Sequence, residues 1–86
     1  MTRALVFDPN GWEDYVYWQT QDRKTVRRVN ALIADILRDP FDGIGKPEPL
    51  RHVLAGAWSR RIDDKNRLVY YVTEEHIVIL QTRDHY

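Results

Sequence analysis

The periodicities along this 86-residue chain predict an α+β fold in which two N-terminal helices pack on one face of a mainly antiparallel sheet. Three observations carry that expectation. Between Asp8 and Arg38 the apolar side chains recur at helical spacing, and Pro40 stops the pattern. Between Gly56 and Thr73 apolar and polar residues alternate around the turn-forming Asp63-Asp64-Lys65-Asn66. The chain then closes on Ile77-Val78-Ile79-Leu80, a continuous run of β-formers that reads as an interior strand buried on both faces. With helices on one side, the opposite face of the sheet is free to be a working surface.

Taken in order, Arg3 to Phe7 reads as a short first strand bounded by Asp8-Pro9. Asp8 suits a helix N-cap and Pro9 its first turn. Trp12, Tyr15, Val16 and Gln19 follow one face of this helix, with Gly11 as an internal weak point. Asp22 is a second N-cap candidate, and Val26, Val29, Ile33, Ile36 and Leu37 keep helical period to Arg38 or Asp39. Its other face carries Arg23, Lys24, Arg27 and Arg28, a pattern shared by any solvated helix face. Phe41 to Pro49 is broken by Gly43, Gly45, Pro47 and Pro49 and reads as a loop; Arg51 to Leu54 reads as a short strand. Trp58, Arg60 and Ile62 share one side of the next strand and Ala57, Ser59 and Arg61 the other. After the turn, Leu68, Tyr70 and Val72 face one way, and Glu74-Glu75 leads into the last strand.

The length allows one domain, residues 1–86. Thirteen basic residues balance 13 acidic ones, so any nucleic-acid footprint must be local. We expect basic surfaces from Arg23, Lys24, Arg27, Arg28 and the hairpin arginines, and an acidic first helix. Without cysteine there is neither a disulfide framework nor a thiolate metal site. The three histidines lack the i, i+4 spacing and acidic company of a metal site, and no Gly-rich phosphate loop is present. No stretch approaches a membrane span and no basic-then-apolar leader opens the chain, so a soluble, cytoplasmic protein is expected.

The residues suited to chemistry are few. Glu48 stands between Pro47 and Pro49, which stiffen its backbone and suit it to be a positioned base; a plain solvated loop glutamate fits the same sequence. Arg61 and Arg67 are both out of phase with the apolar sets of their strands, which pairs them on the face away from the helices. Two guanidinium groups there suit a phosphodiester, although cross-strand pairing with carboxylates would use them too. Lys46 and Arg51 are near in sequence and are substrate-binding candidates. The chain ends in Arg83, Asp84, His85 and Tyr86, four hydrogen-bonding side chains at the rim of the sheet or, equally, a fraying terminus. His85 titrates near neutrality and Tyr86 can stack on a base. A base, an acid, two anion clamps and an aromatic are the equipment of metal-free RNA cleavage, in which the substrate's 2′-OH is the nucleophile.

Trp12-Glu13-Asp14-Tyr15 with Tyr17-Trp18, Gly45 to Leu50, Trp58-Ser59-Arg60-Arg61-Ile62, Arg67-Leu68-Val69-Tyr70 and the final His85-Tyr86 together resemble the YoeB toxins of bacterial toxin–antitoxin systems, within the RelE-like superfamily. The resemblance spans essentially the whole chain. It implies a fold like that of microbial ribonucleases and an mRNA interferase that cuts the codon in the ribosomal A site, with no cofactor. It also implies a YefM-like antitoxin as partner, a homodimer, and contact with DNA only through the antitoxin complex. By position, Glu48 falls on the family's general base, Arg67 on its phosphate-stabilising arginine, His85 on its general acid, Tyr86 on a substrate-placing tyrosine and Arg61 on a further site arginine. The acid and base are expected on the order of 5–8 Å apart, flanking one phosphate. The chain departs from the family pattern at Asp84, where a Tyr is usual, at Asn66, where a His is usual, and at Arg51, where a Lys is common. Two other classes fit parts of the sequence: a non-catalytic, gyrase-binding inhibitor of the ParE type, and a dead homologue kept for antitoxin binding.

Overall fold

The computed structural model describes residues 2–52 and 54–84; Met1, Val53, His85 and Tyr86 lie outside the described residues. The elements are β1 (Ala4–Phe7), α1 (Pro9–Gln21), α2 (Arg23–Arg38), β2 (Glu48–Pro49), β3 (Ala57–Arg61), β4 (Arg67–Val72) and β5 (His76–Gln81). They form one five-stranded sheet in the order β1-β5-β4-β3-β2. Among the described residues only β1 and β5 pair in parallel, and the two helices carry the chain back across the sheet after β1. This is the α+β arrangement the periodicities predict.

The caps are built as the sequence suggests. Asp8 accepts the Asn10 N–H at 3.1 Å, with Pro9 opening α1. Asp22 serves both helices: its N–H bonds to the Trp18 carbonyl at 3.1 Å, and its carboxylate accepts the Lys24 N–H at 3.0 Å and the Thr25 hydroxyl at 2.9 Å. A single extended residue therefore makes the corner between helices. α2 stops at Arg38, two residues before Pro40.

Four α2 residues, Val29, Leu32, Ile33 and Ile36, pack on Ile62, Leu68, Tyr70, Ile77 and Ile79 to make the main core. On the other face of the sheet lies a smaller cluster of Leu50, Ala57 and Val69, with Leu80 against it. Because the helices cover only one face, Val78 and Leu80 are half-buried rather than fully enclosed, which corrects the reading of β5 as buried on both sides.

Two further expectations are corrected. The pairing residues after the Gly/Pro loop are Glu48–Pro49, not Arg51 to Leu54. Arg51 and His52 lie in a turn whose backbone groups are used locally: Leu50 N–H bonds to Ala57, Leu54 N–H to Leu50 and Ala57 N–H to Leu54. The Leu50 N–H still reaches the first residue of β3, while the Leu50 and Leu54 carbonyls are taken up within the turn, and a proline without an N–H is tolerated in an edge strand. In α1, the face marked by Trp12 and Val16 points to solvent; both are exposed. The inward stripe is Gly11, buried, with Tyr15 and Trp18 half-buried. Gly11 holds this position because α1 crosses β5 closely enough that a Cβ there would overlap the Ile79 carbonyl.

That contact gives a direct test. Gly11→Ala should destabilise the protein by about 1–3 kcal/mol, despite alanine's higher helix propensity, seen as a lower urea midpoint at unchanged slope. A midpoint at or above that of the parent would contradict the close approach.

Candidate functional site

The face of the sheet away from the helices carries the charged candidates. In the β3–β4 register Arg61 stands directly opposite Arg67, so the two guanidinium groups rise from one face on adjacent strands. Like charges directly opposed cost stability unless an anion lies between them. The acidic groups nearby neutralise them only in part: Arg61 Nη2 is 3.8 Å from a fully exposed Asp64 carboxylate, a weak contact. Arg67 donates from Nη1 to the carbonyls of Asp63 at 2.9 Å and Asn66 at 3.3 Å, which uses one of its nitrogens and aims the group.

Glu48 pairs with Ser59 in β2–β3, which puts it on the same face, two residues along β3 from Arg61. Strand spacing and rise then separate the Glu48 and Arg67 Cα atoms by about 12 Å, a gap that a Glu and an Arg side chain span with one phosphate between them. Glu48 and Lys46 are exposed, and Lys46 has a left-handed φ of 52°. Arg51 is exposed in the turn beyond β2.

The loop that delivers Glu48 is wrapped around Arg60. This side chain is fully buried, in phase with Trp58 and Ile62, and points to the helix side. Its five N–H donors are all used: Nε to the Tyr70 hydroxyl (3.1 Å), Nη1 to Asp35 (2.5 Å) and the Ile44 carbonyl (3.1 Å), Nη2 to the carbonyls of Asp39 (2.6 Å) and Asp42 (3.3 Å). The Tyr70 hydroxyl donates onward to Pro40 at 2.6 Å. Asp35 also accepts the Ile44 N–H at 2.9 Å. Gly45, at φ 79°, passes so close to Leu32 and Arg60 that a side chain would not fit, and its carbonyl accepts the Arg61 N–H at 2.7 Å.

The tail past β5 is held on two sides. Toward α1, Thr82 N–H donates to Asp14 (3.1 Å), Trp18 Nε1 donates to the Thr82 carbonyl (2.8 Å), and the Arg83 guanidinium lies 3.8 Å over the Tyr17 ring. Partial burial raises the Asp14 pKa, against the lowering effects of the Thr82 N–H and Arg83. Arg83 is thus engaged with α1, apart from the Arg61–Arg67 pair. Toward the hairpin, Asp84 N–H donates to Asn66 Oδ1 at 2.7 Å and the Asp84 carbonyl accepts the Arg67 N–H at 3.1 Å. The tail therefore lies beside Arg67 at Asp84. His85 and Tyr86, and with them the expected separation of acid and base, lie outside the described residues.

Five contributors had no structural role assigned from the sequence. Arg60 was visible only as a charged residue in phase with a core face, a signal that marks a buried ion pair. Asn66 reads as a turn residue, and Asp14, Tyr17 and Trp18 enter only through the family resemblance, because their partners lie far along the chain.

Residues 7–86 match the family model of the YoeB-like toxins of bacterial type II toxin–antitoxin systems. The YoeB toxin of Streptomyces coelicolor is 60% identical over 82 residues, covering 95% of this chain and 98% of that toxin. The solved YoeB dimer from Staphylococcus aureus superposes with a TM-score of 0.91 at 42% identity, covering 100% of both chains. The YoeB–YefM heterotetramer from the same species gives 0.87 at 42% identity, also over 100% of both chains.

The Arg60 hub predicts a specific acid response. Hydrogen bonds from Arg38, the Ile44 N–H and Arg60 hold the Asp35 pKa at about 2, below the ordinary 3.8. Between those values the unfolded chain binds more protons, so the stability contributed by Asp35 is complete above pH ~4 and is lost as the pH falls toward ~2. Asp35→Ala should remove that segment of the acid limb in urea denaturation. It should also cost about 3–5 kcal/mol at neutral pH by leaving Arg60 without its counter-charge. An acid limb identical to the parent's would contradict the assignment.

Proposed function

Since the chain belongs to the YoeB-like toxins of bacterial type II toxin–antitoxin systems, we propose that it is a ribosome-dependent endoribonuclease that cleaves the A-site codon of translated mRNA. The observation that supports this most is the grouping of Glu48, Arg61 and Arg67 on the open face of the sheet, with the tail bonded to Arg67 at Asp84.

In this reading Glu48 takes the proton from the 2′-OH, and the freed oxygen attacks the adjacent phosphorus. Arg67, with Arg61 opposite, stabilises the negative charge that grows on the non-bridging oxygens. The bond to the 5′ oxygen breaks as His85 delivers a proton to it. The products are a 2′,3′-cyclic phosphate and a 5′-OH, and the proton lost to Glu48 balances the one given by His85. Tyr86 places the substrate by stacking or hydrogen bonding. Lys46 and Arg51 add backbone contacts, and Arg83 joins them if it leaves Tyr17. The nucleophile comes from the substrate and the positive charge from arginine, so the step calls on no metal ion and no cofactor.

The partners follow from the same reading. Residues 1–86 act as one toxin domain in the cytoplasm, where the ribosome is. A YefM-like antitoxin neutralises it, as in the staphylococcal heterotetramer, and it forms a homodimer, as the staphylococcal toxin does. DNA contact comes only through the antitoxin complex. The exposed Arg23, Lys24 and Arg27 of α2 supply a basic strip for ribosomal RNA backbone.

Two outcomes are expected. Glu48→Ala, Arg67→Ala and His85→Ala should each slow A-site cleavage by about 10²–10⁴-fold in primer extension on translated message while leaving the urea midpoint within error. Full-rate cleavage by His85→Ala would remove the mechanism, and growth arrest with uncut message would point to gyrase inhibition. Ribosome binding should weaken steeply with salt, and less steeply after Arg23, Lys24 and Arg27 are replaced by Ala; a flat salt dependence would remove the basic strip from the account.

A further inference from the structure

We propose that Asn66 is a positioning residue, which sets the direction of the chain's last two residues by clamping Asp84. The inference rests on the reading of His85 as the acid. Asn66 is 9% exposed, and both ends of its side-chain amide are committed. Its Nδ2 donates to both Asp63 carboxylate oxygens at 3.1 Å, and its Oδ1 accepts the Asp84 N–H at 2.7 Å. The partners fix which end points where: a carboxylate only accepts and a backbone N–H only donates, so a flipped amide would lose both sets of bonds.

Asp63 is itself held. Its Oδ1 accepts the Lys65 and Asn66 N–H groups at 2.8 Å each. Against the upward push of partial burial, the Asn66 side chain and these N–H groups keep the Asp63 pKa below the ordinary value, so the anchor is charged near neutrality. The hairpin turn thus presents a rigid acceptor to the tail.

Asp84 has both backbone polar groups occupied, its N–H by Asn66 and its carbonyl by the Arg67 N–H. It also adopts φ 62°, a left-handed conformation that is uncommon for a non-glycine residue and persists where the surroundings impose it. Two consecutive residues of the hairpin, Asn66 and Arg67, therefore hold both backbone polar groups of Asp84. The amide donates to Asp63 and accepts from Asp84 at the same time. Aspartate would face Asp63 as a like charge, and alanine offers neither group.

The test combines exchange and kinetics on the full chain. In Asn66→Ala, the Asp84 amide should exchange at least about tenfold faster while core amides of β4 and β5 are unchanged. A-site cleavage should lose about 10–100-fold in kcat with KM within about twofold. In a His85→Ala background the same substitution should cost nothing further, because the group it positions is gone. A merely structural role would give effects that multiply, and that result would overturn the proposal, as would equal Asp84 exchange in the two proteins. If His85→Ala itself cleaves at full rate, the acid assignment falls, and the exchange comparison alone then decides the clamp.

Discussion

A guanidinium with no access to water organises the end of this molecule that carries the candidate site. Arg60 is a buried charge, which is tolerated only when a counter-charge and a full set of acceptors replace the solvent it has lost. Asp35 supplies the charge, and the Tyr70 hydroxyl with three loop carbonyls supplies the remaining acceptors. Those carbonyls belong to Asp39, Asp42 and Ile44, in a segment with no regular structure of its own. An irregular loop is thereby turned into a fixed approach to Pro47-Glu48-Pro49. The stiffness around Glu48 has two sources: the proline rings on either side and the buried cation behind the loop.

The strand period then separates structure from surface. Arg60 and Arg61 are neighbours, yet one is sealed in the core side and the other stands on the open face opposite Arg67. The same hairpin that buries a cation for rigidity displays two others where an anion would relieve their repulsion. The Arg61 N–H bond to Gly45 joins the two functions, since it ties the backbone of the open-face arginine to the Glu48 loop. On the far side, α1 and the hairpin hold the tail between them, through Asp14 and Trp18 at Thr82 and through Asn66 and Arg67 at Asp84. Loop, hairpin and tail are each anchored by backbone bonds at positions next to the residues assigned to chemistry.

Local rules were enough for much of the architecture. Asp8 and Asp22 announce their helices because capping is decided within three residues. The facing of Arg61 and Arg67 is readable because it depends only on counting by two from the apolar set. What could not be read depends on partners far along the chain. α1 turns Trp12 outward and Gly11 inward because β5 passes beneath it, which no window of α1 contains. The edge strand falls at Glu48–Pro49 because the following residues close a turn on themselves. Arg60 and Asn66 reveal their roles only when their distant partners are in place, the Asp35 carboxylate and loop carbonyls 16 to 25 residues away for Arg60 and the Asp84 amide 18 residues away for Asn66. The family resemblance supplied what geometry alone left open at Glu48 and at the chain's end.

The central claim is that a carboxylate from the stiffened loop, an arginine from the hairpin and an imidazole from the tail meet around one phosphate. The most direct measurement is a structure of the protein on a ribosome whose A-site codon carries a 2′-O-methyl group and so cannot react. The account predicts the Glu48 carboxylate and the His85 imidazole on opposite sides of the scissile phosphate, about 5–8 Å apart, with Arg67 on a non-bridging oxygen. An imidazole directed away from that phosphate, or a message that reaches neither Glu48 nor Arg67, would contradict it.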